Sequence, residues 1–128
     1  ELVELDAAGM VSAILSGPRR GRQLVVLLTD LTPAVVETGL LPRLSTLTAR
    51  HLVLVASVAD PYVTRMAAER GNAQAVYRAA AAQRTLAERR RIAAELRRRG
   101  VEVVEAPAEE LAPALADAYL ALKAQGRL

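Results

Sequence analysis

The chain has 128 residues, enough for one domain with its own core, and 52% of them are hydrophobic, which excludes a disordered chain. It has no Cys, one His (His51) and no Phe or Trp, so thiolate chemistry, Cys-built metal centres, multi-histidine sites and broad stacking surfaces are excluded. The net charge of +3 is mild and by itself implies no polyanionic partner.

The chain opens on Glu1-Leu2, with no initiator Met and no signal-peptide pattern, and is expected to be a piece of a longer protein. Asp6 is placed to cap a first helix carrying Met10, Ile14 and Leu15, which Gly17-Pro18 ends; Arg19–Arg22 is a polar turn. Leu24-Val25-Val26-Leu27-Leu28 is a continuous apolar block, the pattern of a parallel strand covered on both faces. Thr32-Pro33 then starts a helix as cap and first residue, Gly39 and Pro42 break it, and a short helix with Leu44 and Leu47 follows. A second apolar strand runs over His51–Ala56. Asp60-Pro61 starts a helix that stops at Gly71, and Asn72 caps a long one from about Ala73 to Arg99 with Val76, Ala80, Leu86, Ala93 and Leu96 on its apolar side. Val101–Glu105 alternates, which places it nearer the sheet edge. Pro107 and Pro113 each suit a first helical turn, and Leu111, Leu115, Tyr119 and Leu122 share a face of the last helix, which ends near Gly126. Strands separated by helices predict an α/β fold with a parallel sheet of about three strands flanked by helices. Residues 1–128 are read as a single α/β unit.

The carboxyl ends of strands in such a sheet form the usual site. Here they carry Thr29 and Asp30, then Ser57 and Asp60, then Glu105. Oxygen ligands at that rim suit a hard cation such as Mg²⁺. Asp60 reads first as a helix cap; Asp30 is the better functional candidate, because Thr32 already fills the cap role beside it.

Val25-Val26-Leu27-Leu28-Thr29-Asp30 resembles the late metal-site strand of von Willebrand factor A domains. Together with Leu24–Leu31, Arg50–Pro61, Gly100–Leu111 and Asp117–Leu128, it makes the chain resemble the C-terminal half of the bacterial domain of unknown function 58 family. The resemblance implies the later half of a von Willebrand A-like, Rossmann-like domain. It implies a full-length protein anchored in the membrane, with this domain on the cytoplasmic face. It implies work with a MoxR-type AAA+ ATPase, or with a client, in protein assembly or activation. Asp30 corresponds to the late Asp of the metal-ion-dependent adhesion site. The Asp-x-Ser-x-Ser signature of that site is absent from these residues, so no cofactor is expected here and Mg²⁺ belongs to the full-length protein.

The functional expectation is a non-catalytic protein-interaction domain. The apolar strand Leu24, Val25, Val26, Leu27 and Leu28 is the expected edge for a homo-oligomer. No contact with nucleic acid or membrane is expected of this piece. Two alternatives stand beside this reading. Arg19–Arg22, Arg89–Arg91 and Arg97–Arg99 could form a nucleic-acid surface, although Glu88 and Glu95 are spaced to pair with several of them along a solvated face. A receiver-like phosphoacceptor domain would use Asp30, but it needs an early acidic pair and a Lys after a late strand, and Lys123 lies in the last helix. His51 reads as structural, and Ser57 has no evident base.

Overall fold

The computed structural model describes residues 22–127. They form a parallel sheet of three strands, β1 (Leu24–Leu28), β2 (Leu52–Val58) and β3 (Glu102–Ala106), in the order β1-β2-β3. Four helices flank it: α1 (Leu41–Arg50), entered through a π-helical segment Ala34–Leu40, then α2 (Pro61–Ala68), α3 (Ala73–Arg98) and α4 (Ala108–Ala124). This is the α/β class that the alternation predicts. The helix expected after Asp6 lies outside the described residues.

The core has two layers. On one face Leu27, Val53, Val55 and Val103 of the strands meet Val36, Leu40, Leu44 and Leu47 from the π-helical segment and α1, and Ile92, Ala93 and Leu96 of α3. On the other face Leu52, Leu54 and Ala56 meet Leu122 of α4, with Leu111, Leu115 and Ala118 half-buried beside them. Both strand-to-strand crossovers therefore run over one face, and α4 covers the opposite one.

The strand covered on both faces is β2, whose first six residues are all buried. The expectation that Leu24–Leu28 would be so covered is corrected. Among the described residues β1 is an edge strand, and Val26 and Leu28 are 44% and 68% exposed. Its side chains split by alternation: Leu27 joins the α3 face, while Leu24, Val26 and Leu28 point to the α4 face. There α4 reaches over β2 and β3, and no described residue covers Val26 and Leu28 at the far half of β1.

Local chemistry sets the boundaries. Thr32 Oγ1 accepts from the Val35 amide at 3.4 Å and Asn72 Oδ1 from the Ala75 amide at 2.7 Å, both as helix caps. Gly100 follows α3 with φ +85°, the left-handed conformation that closes a helix. Gly39 and Pro42 do not break the helix as expected. Pro42 has no N–H for the carbonyl one α-turn back, and its ring would collide with that carbonyl. The backbone widens instead, with the Leu41 amide donating to Val36 O, and Arg43 Nη1 donates to Gly39 O at 2.9 Å. Pro113 is likewise inside α4 and does not start a helix.

The apolar seam of α3 also differs from expectation. Val76 is 49% exposed, and the buried positions begin one residue earlier, at Ala75, Ala79 and Ala82. Tyr119 is 41% exposed, with Lys123 Nζ 5.7 Å from its ring centre, so it does not share the buried face of Leu122.

Candidate functional site

The carboxyl rim of the sheet gathers the residues that the sequence singles out. Its most constrained group, Arg89, is not one of them. Arg89 comes inward from α3: its Nη2 donates to Ser57 Oγ at 2.9 Å and to Val58 O at 3.0 Å, and its Nε lies 3.4 Å from Glu105 Oε2. One guanidinium thus ties α3 to the ends of β2 and β3. The planar fork suits this, since it offers several donors at fixed angles. Ser57 is 1% exposed, and the arginine satisfies its hydroxyl.

The spacing of the basic run predicts Arg89 on a solvated face together with Arg90 and Arg91. It stands instead on the seam Ala75, Ala79, Ala82, Leu86, Arg89, Ala93, Leu96, which alternates steps of four and three. A charged residue on that spacing was the available signal.

The other rim residues are spread apart. Asp60 Oδ1 accepts from the Tyr62 amide at 2.9 Å and serves as the cap of α2. Thr29 N–H donates to Ala56 O at 3.0 Å and its Oγ1 donates to Asp30 O at 3.3 Å. Asp30 is exposed and lines a shallow concavity of about 360 Å³ with Leu28, Thr29, Ala56, Val58 and Leu111, on the α4 side. Asp60 does not line it. Mg²⁺ takes about six oxygen ligands. Thr29 and Asp30 offer far fewer, and no group of three His, Asp or Glu side chains converges among the described residues. The described rim by itself does not fit a divalent ion.

A second groove, of about 390 Å³, lies between Leu31–Pro33 and the α3 residues Arg84, Thr85, Glu88 and Arg89. Farther along α3, Arg91, Arg98 and Arg99 are paired with glutamates within the fold. Arg91 Nη2 bonds Glu88 at 2.5 Å and Glu37 at 2.6 Å, and Glu95 pairs with both Arg98 and Arg99. These hydrogen bonds hold the Glu88 and Glu95 carboxyls below the usual range and push Arg91 up. His51 is buried, and its Nδ1 accepts from the Gln23 amide at 3.2 Å, joining the starts of β1 and β2.

The two edges of the sheet are unlike. On β3 the Val103 carbonyl accepts from Arg97 Nη2 at 3.3 Å, and Glu102 pairs with Arg127. Charge and a bound guanidinium blunt that edge. On β1 the Thr29 amide donates to Ala56 O, and Gln23 O accepts from the Leu52 amide. By alternation the peptide groups of Leu24, Val26 and Leu28 point away from β2. No described strand pairs with them, and none of the five residues of β1 is polar.

Comparison with protein-family models, with curated proteins and with solved structures gave no match.

Proposed function

We propose that this chain is a non-catalytic protein-interaction domain whose binding edge is β1. The carrying observation is the contrast between the edges: charged and capped at β3, apolar and, among the described residues, open at β1. An open apolar strand edge is a template for pairing with another chain. Val26 and Leu28, exposed beside it, add hydrophobic surface to the same junction. The partner is first a second copy, with the two β1 strands continuing one sheet across a twofold axis.

The candidate catalytic groups are engaged otherwise, which supports the non-catalytic reading. The Ser57 hydroxyl accepts from Arg89, His51 from a backbone amide and Asp60 from the start of α2. The resemblance to the von Willebrand A-like half of the domain of unknown function 58 family adds the wider setting to the proposal. In it the full-length protein sits at the cytoplasmic face of a membrane and works with a MoxR-type AAA+ ATPase or a client. Asp30 is then the position that contributes to a Mg²⁺ site completed by residues outside these.

Sedimentation velocity tests the edge. The chain self-associates in the micromolar range, and Val26→Lys, which puts a charge on the open strand, sediments as a monomer. A parent chain that stays monomeric at high micromolar concentration contradicts the proposal.

A further inference from the structure

β1 presents its outer edge through every second residue. Gln23 O accepts from the Leu52 amide and the Thr29 amide donates to Ala56 O, so the odd-numbered residues from Gln23 to Thr29 bond β2. The even-numbered Leu24, Val26 and Leu28 turn their peptide groups outward. The same alternation continues to Arg22 before the strand and Asp30 after it, each four residues from Val26. Both are exposed, and among the described residues neither lies within salt-bridge distance of an opposite charge. Asp30 lines the concavity beside Leu28, and Arg22 falls by alternation on the same face.

We propose that two copies join with their β1 strands antiparallel and Val26 facing the partner's Val26 on the twofold axis, so that Arg22 of each copy forms an ion pair with the partner's Asp30. This rests on the reading of β1 as the binding edge and fixes how that edge is used. It needs only described residues, whereas the Mg²⁺ role of Asp30 needs others.

Two features select the register. With Val26 on the axis, Leu24 faces the partner's Leu28 and Leu28 the partner's Leu24, so all three outward residues of β1 exchange hydrogen bonds. The same register sets Arg22 directly opposite the partner's Asp30, twice by symmetry. Side chains so opposed stand about 5 Å apart, where opposite charges attract. A slip of two residues one way puts Asp30 opposite the partner's Leu24, and the other way puts Arg22 opposite the partner's Leu28. Either slip loses both ion pairs. A slip of one residue sets outward peptide groups against groups already bonded to β2. The charges are thus self-complementary about Val26, which is the pattern that a second copy of this same strand matches.

Sedimentation velocity of charge-reversed variants tests the register. Arg22→Asp and Asp30→Arg each set like charges against one another at both ends of the junction, and each alone is expected to dimerise about tenfold more weakly than the parent. Mixed in equal amounts, they regain both ion pairs and form a mixed dimer of about parent affinity. The chain has no Cys, so single engineered thiols report neighbours. Facing residues of such a ladder have Cα atoms about 5.5 Å apart, within disulfide reach. Val26→Cys is expected to cross-link to itself, and Leu24→Cys to Leu28→Cys in a mixture but neither to itself. A retained melting temperature shows that each variant is folded. A parent chain that is monomeric at high micromolar concentration overturns the β1 edge and the register with it. A dimeric parent that tolerates both reversals, a mixture no tighter than either variant alone, or Leu24→Cys that cross-links to itself overturns the register and leaves the edge.

Discussion

Arg89→Ala is the most informative single substitution. The arginine side chain is 18% exposed and Glu105 is 30% exposed. Its loss removes two hydrogen bonds from a charged donor and leaves the Ser57 hydroxyl, 1% exposed, with no partner. A hydrogen bond to a charged group contributes about 1.5–3 kcal/mol, and an orphaned buried polar group costs about 1–3 kcal/mol. The Glu105 pair adds little, because solvent reaches both partners. These effects overlap, so a loss of about 2–4 kcal/mol is expected, a large share of an ordinary domain's stability. Urea unfolding at neutral pH measures it. Ser57→Ala in the same background sharpens the result: in the parent it strands an Arg89 donor, whereas in Arg89→Ala it removes the orphan, so the pair is coupled by about 1 kcal/mol. An Arg89→Ala variant within about 0.5 kcal/mol of the parent refutes the reasoning.

Other perturbations have defined outcomes. Asn72→Ala removes the cap on the Ala75 amide and lowers stability by about 1 kcal/mol in urea unfolding. Ala79→Leu overfills the α2–α3 contact, where Ala79 is 2% exposed, and costs about 1–3 kcal/mol; amide exchange should show the loss concentrated in α2 and the first half of α3. The Glu88 and Glu95 carboxyls titrate below their usual range because arginines bond their charged forms. A depressed carboxyl pKa contributes stability above the unfolded value and loses it as pH falls through the folded value. The urea midpoint should therefore decline as pH drops below the ordinary carboxyl value of 4.5, and Glu95→Gln should flatten that decline.

Much of the scaffold was legible because local chemistry agreed with the fold. The Asp60-Pro61 and Asn72 caps, the stop at Gly100 and the three strands all stand where turn chemistry and apolar runs put them. Three features were hidden by tertiary context. The apolar run of β1 looks like a strand covered on both faces, but its exposure depends on where α4 lies, and α4 lies over β2 and β3 and leaves Val26 and Leu28 exposed. Pro42 is accommodated by a widened helical turn that no residue pattern announces. Arg89 was hidden inside a basic triplet, because burial of one member of Arg89–Arg91 depends on the helix phase set by small alanines two turns away. At the rim, Thr29, Asp30, Ser57, Asp60 and Glu105 were all foreseen as end-of-strand residues. Their roles were divided by geometry: Ser57 and Glu105 go to Arg89, Asp60 to a cap, and Asp30 faces solvent.

The open edge of β1 is the central claim, and amide hydrogen exchange read residue by residue tests it most directly. The Leu24, Val26 and Leu28 amides point away from β2, so pairing with a second copy must protect them. At high protein concentration they are expected to exchange slowly, and on dilution or in Val26→Lys to exchange fast, while the Thr29 amide, bonded to Ala56 O, stays protected throughout. Fast exchange of Val26 and Leu28 at every concentration contradicts the account.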